Sequence, residues 1–267
     1  MSGPVNLAHG PAVDGWLARI GRGLWPPRCL VCGEPAPGPL DLCPACEAEL
    51  PWMPPACLSC AMPLLARALR SPEPDPWPAV VAGSGADPAP LPRLCSACQH
   101  APPPLSETRA AFLYGFPLDR LLPRLKFHRD LAAGRLLAQA MAASLSGCPR
   151  PCALVPVPLH RARMSGRGYN QALELARPLG RLLGVPVRPG LLRRIRHTAP
   201  QSRLDADARA GNLRDAFEVP SRVAVPAHVT LVDDVMTTGA TLDAAADALL
   251  DAGAERVDAW VCARAAR

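Results

Sequence analysis

The run Val229-Thr230-Leu231-Val232-Asp233-Asp234-Val235-Met236-Thr237-Thr238-Gly239-Ala240-Thr241 constrains the fold of this chain more than any other feature. Its apolar opening reads as a short buried strand. Two adjacent carboxylates, Asp233 and Asp234, stand at the strand's end. Thr237, Thr238, Gly239, Ala240 and Thr241 then form a small, hydroxyl-rich turn, and residues 242–250 read as an Ala/Leu-rich helix. A strand that enters a helix through such a turn can hold an anion. The first N–H groups of a helix have no intrahelical partner, and the helix dipole favours negative charge there. Gly239 lets the backbone approach a ligand, and the threonine hydroxyls add donors.

A phosphate alone has no use for two neighbouring carboxylates. A ligand with a phosphate at one end and vicinal hydroxyls beside it does, because carboxylates accept hydrogen bonds from both hydroxyls. That describes a ribose 5-phosphate group. The plainer alternative is a solvated turn at Asp233 and Asp234, with Thr241 as a helix cap. Charge elsewhere suits an anionic ligand. Residues 109–214 hold 19 Lys/Arg against 5 Asp/Glu, net +14, whereas residues 1–105 hold 6 Arg against 8 Asp/Glu, net −2. Such a basic segment fits a polyphosphate, a nucleic acid or both. Within it, residues 153–159 read as an apolar strand. That strand runs into His160, Arg161, Arg163 and Arg167, two glycines and a helix over residues 172–183, which together make a second anion site.

Eight of the eleven cysteines form four CxxC pairs: Cys29/Cys32, Cys43/Cys46, Cys57/Cys60 and Cys95/Cys98. Each pair places two thiolates on one side of a tight turn, and two pairs complete a tetrahedral zinc site. Chain order assigns Cys29, Cys32, Cys43 and Cys46 to a first structural zinc site. Cys57, Cys60, Cys95 and Cys98 form a second, which is interrupted by a Pro/Gly-rich insertion over residues 71–92. Disulfides would need an oxidising compartment, a redox CxxC usually stands alone near a βαβ pattern, and an iron–sulfur cluster is the other metal option. So small a module buries little core and depends on its metal to fold. Cys148 and Cys152 read as unpaired buried residues.

The chain therefore divides into a peripheral segment (1–28, with a helical stretch over 13–20), a double zinc ribbon (29–104) and an α/β domain (105–267). In the last, residues 108–115, 213–219 and 256–263 read as strands, and Leu118–Phe127 and Leu131–Leu145 as helices. Arg120, Arg124, Lys126, His128 and Arg129 make either a solvated helix surface or a patch for polyphosphate or nucleic acid. Residues 197–211 are polar and form either a surface loop or a lid. No apolar run reaches transmembrane length, and the first ten residues lack the pattern of a secretory signal. The expected location is the cytoplasm, without membrane insertion.

Residues 229–241 resemble the phosphoribosyl-pyrophosphate (PRPP) loop of type I phosphoribosyltransferases. The resemblance implies that Asp233 and Asp234 hold the ribose hydroxyls and that Thr237 through Thr241 hold the 5-phosphate, with magnesium accompanying PRPP. It also implies that His160, Arg161, Arg163 and Arg167 bind the pyrophosphate, with residues 197–211 as the closing lid. The wider pattern is narrower in meaning. VPVPLH-x-x-R-x-x-x-RGYNQ, HTAPQSRLDADARAGNLRDAF and LVDDVMTTGAT, together with the four CxxC pairs, resemble the ComF/ComFC competence family over roughly residues 29–264. That implies a type I phosphoribosyltransferase-like parallel sheet flanked by helices and preceded by a small zinc-ribbon module. It implies binding of PRPP with magnesium and of single-stranded DNA, and action alongside DNA-uptake machinery in natural transformation. Two other readings stand beside it: an active PRPP-dependent transferase with an unidentified nitrogen acceptor, and a PRPP-sensing regulator without turnover. Thr237 stands where purine-salvage members carry an acid for the purine N7, so transfer to hypoxanthine or guanine is not expected. An N-terminal glutaminase nucleophile is not expected either.

Overall fold

In chain order the strands are β1 (Glu107–Leu113), β2 (Ala153–Pro156), β3 (Arg193–Arg194), β4 (Phe217–Glu218), β5 (His228–Met236) and β6 (Arg256–Arg264). The helices are α1 (Pro44–Ala48), α2 (Ser96–His100), α3 (Leu118–Phe127), α4 (Leu131–Leu145), α5 (Gln171–Leu183) and α6 (Ala240–Asp251). This computed structural model describes residues 27–38, 40–64, 94–160, 164, 168–196 and 215–265. The expected helical stretch 13–20, the insertion 71–92, the loop 197–211 and the side chains of Arg161, Arg163 and Arg167 lie outside the described residues.

β6 is buried at every position after its first. A strand with no solvated face has to lie inside a sheet covered on both sides, which is the usual setting of parallel strands. The four long strands pair in the order β1-β6-β5-β2, all parallel. On one face α3, α4 and α5 pack against Leu154, Val232, Trp260 and Cys262. On the other, α6 and the β3–β4 pair cover Val155, Leu231, Val257, Ala259 and Val261. The fold class is thus α/β with a parallel sheet, as the sequence leads one to expect.

Three local expectations change. β2 ends at Pro156 rather than residue 159, since Pro156 and Pro158 have no N–H to give a ladder; Val157 makes one last bond, donating to the Val232 carbonyl at 2.9 Å. Of the expected strand 213–219, residues 213 and 214 lie outside the described residues; among the rest Phe217 and Glu218 pair, antiparallel to Arg194 and Arg193, after Asp215 turns the chain at φ +57°. Cys152 is exposed and Cys148 half-buried, though neither is paired.

The connections define where a ligand would sit. After β2, α5 carries the chain outward, and Val187 pairs in parallel with Leu154 beyond the β2 edge. Gly180 makes this return possible, since a Cβ there would lie 2.6 Å from Val187 Cγ2. After β5, α6 carries the chain the other way, to β6. Neighbouring strands whose connections diverge leave a crevice at their carboxyl ends, the usual ligand position in open α/β sheets.

β1 would be a bare sheet edge, and the cysteine-bearing segment covers it. Leu113 N–H donates to the Pro51 carbonyl (2.8 Å), Met53 N–H to Ala111 (3.0 Å) and Thr108 N–H to Leu58 (2.6 Å). Trp52 stacks on Phe112 with ring centroids 4.7 Å apart. Among the described residues no helix is long and apolar enough to cross a membrane.

Candidate functional site: two cysteine centres and a switch-point crevice

Each cysteine cluster combines two kinds of turn. Cys29 and Cys57 open hairpin knuckles of the same build. Cys29 N–H donates to the Glu34 carbonyl (2.7 Å) and Gly33 N–H to Cys29 (2.9 Å). Cys57 N–H donates to Met62 (2.8 Å) and Ala61 N–H to Cys57 (2.8 Å). Cys43 and Cys95 are the N-caps of α1 and α2, both at φ −74°, ψ 159°, so Cys46 and Cys98 sit in the first helical turn. Helix N-termini favour thiolates. Cys29, Cys32, Cys43 and Cys46 gather into one set and Cys57, Cys60, Cys95 and Cys98 into the other, with the sulfurs of each set within 4.8 Å of one another. Cys32 Sγ lies 3.6 Å from Cys43 Sγ, and Cys60 Sγ 3.7 Å from Cys95 Sγ. A disulfide would hold them at about 2.0 Å. A zinc ion about 2.3 Å from four sulfurs sets them about 3.8 Å apart. The donor set and spacing fit zinc at both centres. Burial pushes the Cys60 thiol up to about 11, so metal binding there releases a proton.

The acidic pair lies inside β5 rather than beyond its end. The strand continues through Met236 because β6 pairs with it there, Asp233 opposite Val261 and Val235 opposite Ala263. β2 has already ended opposite Val232, so this stretch of β5 faces the crevice with one side unpaired. Asp233 Oδ1 accepts from Asp234 N–H (2.9 Å), and Asp234 Oδ1 from Val235 N–H (2.8 Å). Burial, and next the charge of Asp234, push the Asp233 carboxyl up to about 8. Lys126 Nζ stands 3.6 Å from Asp234 Oδ2. It is the single lysine among 29 basic residues.

The turn follows directly. Thr237 and Thr238 are exposed, Gly239 is buried at φ +95° as the N-cap of α6, and Ala240 and Thr241 begin the helix half-buried. The positive φ at Gly239 is what requires glycine; a Cβ there would also push the flexible end of Met236, at 2.7 Å from Cε. Ala240 N–H makes a long bond to Thr238 Oγ1 (3.4 Å), and Leu242 and Asp243 N–H donate to the Gly239 carbonyl.

His160 follows the carboxyl end of β2, on the same sheet edge as the acidic pair. The residues after the basic loop are pins. Asn170 Oδ1 caps α5 at Ala172 N–H, while its Nδ2 donates to the Val157 carbonyl, both at 3.0 Å. Tyr169 hydroxyl donates to the Leu125 carbonyl and Gln171 Nε2 to Lys126 (3.4 Å). Together they fix the last turn of α3, and with it Lys126, beside the acidic pair. Arg124, one turn-position away, pairs with Asp130 and donates to the Leu30 carbonyl in the first cysteine knuckle. Arg124 and Lys126, two of the three cations on α3, are therefore committed to internal contacts.

Sequence reasoning placed Lys126 in the basic patch but not beside Asp234, and it missed Arg264. Arg264, at the end of β6, is 4% exposed and donates to the carbonyls of Met236 and Thr237 at the start of the turn.

Fold and site define a class: an α/β protein with a switch-point crevice, fastened along one sheet edge to a paired four-cysteine module. The family model of the double zinc ribbon domain matches residues 20–74, which include six of the eight cluster cysteines; Cys95 and Cys98 lie beyond the match. The chain is 38% identical over 179 residues to DNA utilization protein YhgH of Salmonella typhi, covering 64% of this chain and 77% of that protein. It is 38% identical over 157 residues to Competence protein F of Haemophilus influenzae (56% and 69%) and 30% identical over 151 residues to Competence protein ComFC of Bacillus subtilis (56% and 60%). The chain belongs to the ComF family.

Proposed function

We propose that this protein binds PRPP with magnesium in the switch-point crevice and single-stranded DNA on the adjoining surface, and that it acts with DNA-uptake machinery in the cytoplasm during natural transformation. The observation that carries the reading is that Asp233 and Asp234 lie on the stretch of β5 that β2 leaves unpaired, just before a glycine-capped helix start. That order supports reading them as a diol acceptor followed by a phosphate donor set. In this reading Asp233 and Asp234 accept from the ribose hydroxyls. Thr237, Thr238, Gly239, Ala240 and Thr241 hold the 5-phosphate. His160, Arg161, Arg163 and Arg167 bind the pyrophosphate, by resemblance. Magnesium would neutralise part of the pyrophosphate charge.

The names of the relatives, competence protein and DNA utilization protein, support the DNA half. So does one surface of α3. Phe127 is 64% exposed and Phe116 44%, with the Arg120 guanidinium 5.3 Å from the Phe116 ring centroid. Exposed aromatics beside arginines suit stacked bases on a phosphate backbone.

The test is fluorescence anisotropy of a labelled single-stranded oligonucleotide against zinc-loaded protein, titrated with salt and with PRPP–Mg, with pyrophosphate release followed in parallel. The reading expects affinity that falls steeply with salt. No DNA binding at low salt removes the DNA half. Pyrophosphate release with a nitrogen acceptor would make the protein an active transferase, and a PRPP response without DNA or turnover would make it a sensor.

A further inference from the structure

Arg264 ends β6 with its guanidinium nearly out of water, at 4% exposure. Its guanidinium donates to main-chain carbonyls in two places. Nε donates to the Cys60 carbonyl at 2.9 Å, in the second cysteine centre. Nη1 donates to the carbonyls of Met236 (3.3 Å) and Thr237, where β5 passes into the glycine turn, and to Ala265 (2.6 Å). One rigid fork therefore joins a cluster cysteine to the first residue of the proposed phosphate turn. A guanidinium suits this, since its donors lie in one plane and leave together or not at all.

The charge of Arg264 also has a source of compensation. A zinc ion with four thiolates carries a formal charge of −2. An unpaired buried cation is strongly unfavourable, so the loaded centre and the buried arginine stabilise one another.

We propose that Arg264 is a positioning residue that couples the second zinc centre to the turn at Thr237 through Thr241. Loading of the centre holds the fork, the fork holds the Thr237 carbonyl, and the turn is thereby held in the shape that accepts a phosphate. Coupling is reciprocal, so a phosphate ligand on the turn tightens the binding of that zinc. The ligand half rests on the reading of the turn as a phosphate loop; the metal half does not.

The experiment uses the full zinc-loaded chain as wild type, Arg264→Gln, Arg264→Lys and a control, Arg256→Gln. Arg256 lies on the same strand but pairs with Glu107 and Asp258 at its opposite end. Three quantities are read: zinc release to a chelating dye, amide hydrogen exchange over residues 236–241, and affinity for PRPP–Mg by calorimetry. The released equivalent is assigned to the second centre by its loss in Cys98→Ser. Arg264→Gln is expected to release one of two equivalents about ten-fold faster, to exchange faster over the turn and to bind PRPP–Mg about ten-fold more weakly. Arg264→Lys, which keeps the charge without the fork, falls between, and Arg256→Gln matches wild type. Release of both equivalents at the wild-type rate, or unchanged turn exchange, overturns the proposal. If Arg264→Gln does not fold, Arg264→Lys and wild type stripped at the second centre decide it by the same exchange readout. If wild type itself binds no PRPP, the phosphate-loop reading fails, and zinc release with turn exchange still decides the coupling.

Discussion

Replacing Asp233 with asparagine should stabilise the fold, and only at high pH. The carboxyl moves from an ordinary 3.8 to about 8 in the folded chain, through burial and the charge of Asp234. A group whose folded pKa is raised contributes its full stability below its unfolded value and loses it as pH rises through the folded one. The wild type therefore weakens between about pH 4 and pH 8, and the variant does not. Moving a carboxyl that far corresponds to at most about 6 kcal/mol. Asp233 is only half-buried and solvent screening discounts this, so we take about 2 kcal/mol as the working value. For a chain of this size that is a gain of about 4–8 °C in Tm. The assay is thermal unfolding of zinc-loaded protein at pH 5 and pH 8.5 without ligand. Titration of the cysteine centres affects both proteins alike and drops out of the difference. Equal Tm differences at the two pH values would refute the argument. The same variant should lose any Tm gain that wild type shows with PRPP–Mg, since a site that weakens the fold is kept for its ligand.

Four further outcomes follow from other contacts. Thr230 is fully buried and its Oγ1 has no partner, so Thr230→Val should raise stability by about 1 kcal/mol, seen as a Tm about 2–4 °C higher. Metal analysis should find two zinc ions per chain and one in Cys98→Ser, with chelation lowering Tm in both. Gly239→Val forces a branched residue into φ +95° and its Cβ against Met236 Cε; it should destabilise by about 1–2 kcal/mol in denaturant and abolish PRPP–Mg binding by calorimetry. Lys126→Gln removes the cation beside Asp234 and so raises Asp233 further; its PRPP–Mg affinity should reach its plateau at higher pH than wild type, measured between pH 6.5 and 9.

What the sequence made legible was local. A CxxC knuckle is a self-contained turn, so the pairing of the eight cysteines in chain order could be read without a fold. The bounds of α3 and α4 were legible because leucines recur at helical spacing and Asp130 caps Ala133 N–H. The extension of β5 through the acidic pair was not. Two carboxylates look like the end of a strand, and only pairing with β6 carries the strand past them. The outer pairing of Val187 with Leu154, which creates the switch point, has no strand-like run behind it, only space left at Gly180. Lys126 on Asp234 and Arg264 on Cys60 and Thr237 join residues distant in sequence, and no periodicity encodes such contacts. Even so, the residues that carry the candidate site, Asp233 to Thr241, were visible at once. Their small size, paired charge and position before a helix are chemical properties, which tertiary packing orients but does not create.

The most direct test of the account is ³¹P NMR of PRPP with magnesium and the zinc-loaded protein, beside the Asp233→Asn/Asp234→Asn double variant. The account predicts broadened or shifted PRPP signals with wild type and unperturbed signals with the variant. Unperturbed PRPP signals in both, from protein carrying its two zinc ions, would contradict it.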